Sequence, residues 1–183
     1  MTKFHRQYMI TMKDIIQEGH PILRTKCKEL TFPLTDEDQF ELDCMLQYLR
    51  NSQHPQIARR YHLRPGTGLS ANQIGLNKRM FVARYVDEQV IHEYKFINPK
   101  IVSHSTNITF LPEGEGCLSV NRHVIGHVPR YEWIKVDAYN EFGERLVYSF
   151  KGYGSILMQH EIDHLNGIIF YDRINLTSPY LGF

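Results

Sequence analysis

The sequence predicts an α+β protein, with antiparallel β-sheets packed around one central helix. Three observations carry this prediction. Asp36 to Arg50 has apolar residues at helical spacing, with Phe40, Cys44 and Tyr48 on one row and Met45 and Leu49 beside it. From Arg79 to Phe150 the pattern changes to short strand-like runs separated by turn residues. Near the end, Gln159 to Gly167 reads Q-H-E-I-D-H-L-N-G, which places His160 and His164 four residues apart. On a helix that spacing puts both imidazoles on one face, where they can bind a single metal ion.

Taken in order, residues 1–11 are expected to form a loosely held extension. Met12 to Gly19 follows as a short helical or irregular lead into His20-Pro21, where proline favours an extended or turned backbone. Thr35-Asp36-Glu37-Asp38 supplies a helix N-cap and first-turn acids, so the helix is expected from Asp36 to Arg50, packed outside the sheets. Residues 51–65, rich in Ser, Gln, His, Pro and Arg, read as an insertion loop, with room for a further turn of helix at Gln56 to Tyr61.

Gly66 to Gly75 is a run of small residues closed by Gln73. It either brings backbone close to a ligand or makes an ordinary glycine turn, and it lacks the Lys-Ser/Thr of a phosphate loop. Strands are expected at Arg79 to Val86, Val90 to Ile97, Lys100 to Thr109, Glu132 to Tyr139 and Arg145 to Phe150, with a turn at Asn140 to Gly143. Ile134, Val136 and Ala138 alternate with Lys135, Asp137 and Tyr139, as in a half-buried strand. For the last helix, Ser155 is the expected N-cap, and Asn166-Gly167 the stop.

A chain of 183 residues, 42% hydrophobic and 22% charged, is expected to form one domain over residues 1–183. The formal net charge of +1 offers no polyanion-binding surface, and no nucleic-acid motif is present. Tyr8-Met9-Ile10 is too short an apolar run for a signal peptide or a membrane span, so a cytoplasmic location without membrane contact is expected. Three cysteines without a C-x-x-C pair argue against a disulfide framework, and Cys27 and Cys44 read as small buried hydrophobes.

Glu161 lies between the two histidines, one position off the ligand row, where a general base for water activation belongs. A catalytic site needs a third protein ligand and an open position. After His164 the only acid is Asp172, and Phe170 stands where one protease motif has its third histidine. Cys117, bracketed by glycines and acids in Leu111 to Ser119, becomes the candidate, although taken alone it reads as a partly buried bystander.

Together, three blocks of this sequence resemble the bacterial peptide deformylases: Gly66 to Gly75 beside G-x-G-L-A-A-x-Q-I-G, Glu115 to Ser119 as E-G-C-L-S, and His160 to Gly167 as H-E-x-D-H-L-x-G. The likeness runs from about Met12 to Asp172, and the 51–65 insertion resembles the longer class described in Gram-positive bacteria. It implies a metal-dependent hydrolase that removes the formyl group from N-formylmethionyl nascent peptides and releases formate, in transient contact with the translating ribosome. By resemblance, Cys117, His160 and His164 hold one divalent metal and Glu161 is general base, then acid. The Gln73 side-chain amide and the Leu118 backbone N–H would meet the developing oxyanion. Thr67, Gly68, Ile156 and Leu157 would border the substrate, and Glu115 would orient a ligand histidine. Fe(II) is the implied metal in the cell, with Zn(II), Ni(II) or Co(II) in purified samples. Ser70 and Asn72 depart from the usual alanine and the frequent proline of the first block. The rival readings are a zinc peptidase acting on internal peptide bonds and a non-catalytic or divergent, metal-stabilised paralogue that binds formyl-peptides or the ribosome.

Overall fold

The computed structural model describes residues 3–180. Helix α1 spans Asp36–Gln53, one turn beyond the sequence expectation. Its start follows the capping chemistry: Asp38 N donates to Thr35 Oγ1 at 3.2 Å, and Thr35 N donates to Asp38 Oδ2 at 3.0 Å. Helix α2, Pro55–Tyr61, falls inside the 51–65 segment, where the sequence left room for a turn of helix at Gln56 to Tyr61. Pro55 opens it, where a missing N–H costs nothing, and His62 closes it in the left-handed region with φ 53°.

The strands are β1 Gly68–Ser70, β2 Met80–Asp87, β3 Val90–His104, β4 Ile108–Thr109, β5 Arg130–Tyr131, β6 Trp133–Tyr139 and β7 Arg145–Lys151. Five form one sheet in the order β1-β2-β3-β6-β7 with every neighbouring pair antiparallel; β4 and β5 form a two-stranded sheet. The expected break at residues 98–99 is a bulge and not a strand end. Asn98 has φ 52°, Pro99 cannot donate to a ladder, and the β3/β6 register shifts between Ile97 and Lys100 while β3 continues.

Both faces of β2 are covered. Met80 and Val82 pack with Leu42, Met45 and Leu49 of α1, while Phe81, Ala83 and Tyr85 pack with residues of α3, Gly152–Leu165. Period-2 alternation therefore places α1 and α3 on opposite faces. Helix α3 follows β7 directly and runs back across the sheet to β1. Burial of one Leu or Ile side chain contributes roughly 1.5–3 kcal/mol, so the apolar residues of α3 anchor the helix firmly.

Ser155 does not cap α3. The helix begins three residues earlier, and Ser155 is fully buried with Oγ donating to the Tyr131 carbonyl at 2.8 Å. The stop is as the sequence indicates, with Gly167 at φ 76°. Of the expected loose extension, residues 1–2 lie outside the described residues and residues 3–11 are not loose: Phe4 and Ile10 are each 1% exposed within the α1 core. Lys3 Nζ, Tyr8 Oη and Thr11 N converge on the Asp14 carboxylate at 2.7, 2.6 and 2.8 Å.

Candidate metal centre

Helix α3 carries His160 and His164 on one face, with ring centroids 5.0 Å apart and planes inclined by 68°. The loop after β4 brings Cys117 to them, and the three potential ligand atoms all lie within 4.8 Å of one another. Cys117 Sγ and His164 Nε2 are 3.2 Å apart. Ordinary metal–sulfur and metal–nitrogen bonds at a tetrahedral centre imply a separation of about 3.5 Å, so this donor set fits one divalent ion. Among the described residues it is the sole such cluster.

Cys117 is buried. It packs in an apolar cluster with Leu23, Val128, Ile169 and Phe170. Phe170, at the position where a third histidine would fall, stacks beside His160 at 6.0 Å.

His160 Nδ1 lies 2.8 Å from Glu115 Oε2, which leaves Nε2 for a metal. Glu115 is in turn bound by Arg130, through Nε at 2.7 Å and through a terminal nitrogen at 2.9 Å. Arg130 also reaches Asp163 at 2.5 Å, and Arg173 closes the network on the same carboxylate. Burial alone would raise the Glu115 pKa, but the bonds from Arg130 and His160 outweigh it and hold the carboxylate down at about 2. Burial keeps His164 well below the ordinary histidine value, hence neutral. Burial also disfavours charge on His160, yet Cys117 and Glu115 raise it well above the ordinary value; as a metal ligand His160 would be neutral at Nε2.

Glu161 is 2% exposed, and burial pushes its carboxyl above the usual range against the pull of His160 and Ser70. Ser70 Oγ donates to Glu161 Oε2 at 2.6 Å. This is the physical effect of one departure noted in the sequence. The other, Asn72, donates through Nδ2 to the His164 carbonyl at 2.6 Å. Gln73 is held by Ser70 N, which donates to its Oε1 at 2.9 Å. Its Nε2 points at Cys117 Sγ, 3.4 Å away, and Ser119 Oγ, 3.2 Å away.

The predicted site residues, except the more deeply placed His164, border one cleft of about 330 Å³. Thr67 and Gly68 form one wall and Ile156 and Leu157 another. Gly68 belongs to the edge strand β1, and a side chain there would land on the Glu161 carboxylate. Sequence reading missed Arg64 and Tyr153, which also border the cleft, and Arg130, which secures Glu115. No periodicity marks them; only the unusual 1% exposure of Arg130 reveals a built-in role.

Two helix-borne histidines, a loop cysteine and a buried carboxylate beside an open cleft define a metal-dependent hydrolase. The polypeptide deformylase family model matches residues 12–179. The peptide deformylase of Halalkalibacterium halodurans is 53% identical over 175 residues, covering 94% of this chain and 96% of its own. Peptide deformylase 2 of Bacillus anthracis is 48% identical over 173 residues, 94% of each chain. The crystal structure of peptide deformylase from Thermus thermophilus superposes with a TM-score of 0.73 at 33% identity, covering 88% of this chain and 85% of that one. The chain belongs to the peptide deformylase family.

Proposed function

We infer that the protein is a peptide deformylase, which removes the N-formyl group from formylated nascent peptides and releases formate. The observation that carries the reading is the convergence of Cys117, His160 and His164 on one point with Glu161 in the same cleft. A paralogue that only binds formyl-peptides would have no use for a buried carboxylate poised above its usual pKa beside a three-donor site.

Cys117, His160 and His164 would hold one divalent metal, Fe(II) in the cell and Zn(II), Ni(II) or Co(II) in purified samples; imidazole and thiolate suit all of these. A bound ion supplies Lewis acidity and makes water nucleophilic near neutral pH. Glu161 takes a proton from the water as oxygen attacks the formyl carbon. The Gln73 amide and the Leu118 N–H meet the charge that develops on the formyl oxygen. When the carbon–nitrogen bond breaks, Glu161 delivers its proton to the departing amine, and formate leaves. Thr67 and Gly68 border the peptide along the β1 edge, where an extended substrate can add as a strand. Ile156 and Leu157 line the apolar side that accepts the methionine side chain.

Residues 1–183 act as a single deformylase domain with the insertion at 51–65. Among the described residues no helix is long and apolar enough to cross a membrane. The substrate is a nascent chain, so the protein works in the cytoplasm in transient contact with the translating ribosome. Formate release from formyl-Met-Ala-Ser by anaerobically prepared, Fe(II)-loaded protein, compared with zinc-loaded protein, tests the assignment. Turnover with the iron form faster is expected; no formate from fully metallated protein overturns it.

A further inference from the structure

Arg64, at the end of the 51–65 segment, spends its guanidinium on the turn that carries Cys117 and Leu118. One terminal nitrogen donates to the Leu118 carbonyl at 3.2 Å and to Asn121 Oδ1 at 2.6 Å. The other donates to the Cys117 carbonyl at 3.1 Å and to the Val120 carbonyl at 3.3 Å. All four terminal N–H groups of the guanidinium are thereby engaged by the protein, so the side chain borders the cleft without terminal donors to offer a substrate.

The Cys117 carbonyl and the Leu118 N–H belong to the same peptide unit. In a trans peptide the two point in opposite directions, so a cation fastened to the carbonyl fixes where the N–H aims. It also polarises the amide and strengthens the N–H as a donor. Among the described residues no hydrogen bond from the Leu118 N–H to protein is found, which leaves that proton for a ligand. Arg64 is itself anchored. The buried Tyr48 hydroxyl donates to the Arg64 carbonyl at 2.9 Å, and neighbouring Leu63 is buried in the α1 core.

We propose that Arg64 is a positioning residue for the oxyanion site: through the Cys117 carbonyl it orients and polarises the Leu118 N–H that meets the formyl oxygen in the transition state. The 51–65 segment then serves catalysis by delivering this guanidinium to the turn. The proposal rests on the deformylase reading and on Leu118 as an oxyanion donor.

Removing an oxyanion donor outright costs about 10²–10³ in rate, whereas Arg64→Ala weakens and loosens one that stays in place, so a loss of about tenfold in kcat is expected. The test measures kcat and KM for formyl-Met-Ala-Ser per bound metal in Arg64→Ala, Arg64→Lys and Glu161→Gln. Arg64→Ala is expected to lose about tenfold in kcat with KM within about twofold, because only the transition state carries the charge. Arg64→Lys, which keeps the charge but not the fork, should fall between. Unchanged kcat, or a rise in KM alone, overturns the proposal. If Arg64→Ala cannot hold metal, Arg64→Lys decides: wild-type kcat overturns the proposal, and a lowered kcat at unchanged KM supports it. The controls separate the two levels. An active Glu161→Gln protein defeats the deformylase mechanism itself, whereas an inactive one beside a fully active Arg64→Ala defeats only the role of Arg64.

Discussion

Replacing Gly68 with alanine puts one methyl group against the Glu161 carboxylate, the proposed general base. A Cβ built there overlaps Glu161 Oε1 and comes within 2.5 Å of Cδ and 2.8 Å of Cγ. Real Cβ contacts are essentially never closer than 3.0 Å, so the side chain must shift and not merely its tip. The shift breaks the 2.6 Å bond from Ser70 and moves the carboxylate by about 1 Å, a displacement that can cost about 100-fold in rate. Glu161 cannot retreat freely, since it is buried against β1. Gly68→Ala should therefore retain metal, because the three candidate ligand residues are untouched, lose about 1–3 kcal/mol of stability to overpacking, and release formate with kcat lowered about 100-fold. Metal analysis, thermal melting and saturating turnover with formyl-Met-Ala-Ser check this. A kcat within about twofold of the wild type would show that the position of Glu161 against β1 is not the catalytic one.

Glu115→Gln weakens the acceptor that orients His160, and metal affinity in a chelator competition should drop about 10–100-fold. The same carboxylate gives the fold a pH dependence. Its pKa is about 2 in the folded protein against an ordinary 4.5, so its contribution is complete above pH 4.5 and is lost as pH falls toward 2. That shift corresponds to about 3 kcal/mol, and urea melts between pH 6 and 3 should show a steeper acid loss for the wild type than for Glu115→Gln. Arg130→Met strands Glu115 without its cation and leaves Asp163 to Arg173 alone; a destabilisation of about 3–5 kcal/mol is expected in denaturant titrations.

Features that lie within one element could be read from the chain. The His160–His164 spacing, the Thr35 cap, the alternation of Ile134, Val136 and Ala138 and the Gly167 stop all follow from local geometry, and the structure has each of them. Relations across distance could not be read. Arg130 meets Glu115 and Asp163, 15 and 33 residues away, and nothing near Arg130 announces either partner. Strand β1 escaped because Gly68-Leu69-Ser70 is too short and glycine-rich for a period; it is a strand because β2 pairs with it. Phe4 and Ile10 are isolated apolar residues in a polar stretch, and burial comes from α1 and not from their own neighbourhood. Ser155 resembled a cap by residue type, but β7 passes straight into α3 and the helix had already begun.

The central claim is that Glu161 moves protons at a metal centre it does not help to hold. Metal stoichiometry and formate release, measured side by side on Glu161→Gln and the wild type, test it most directly. One metal per chain in both proteins, with formate release reduced by about 100-fold or more in the variant, is the predicted result. A Glu161→Gln protein that binds metal and deformylates at the wild-type rate would contradict it.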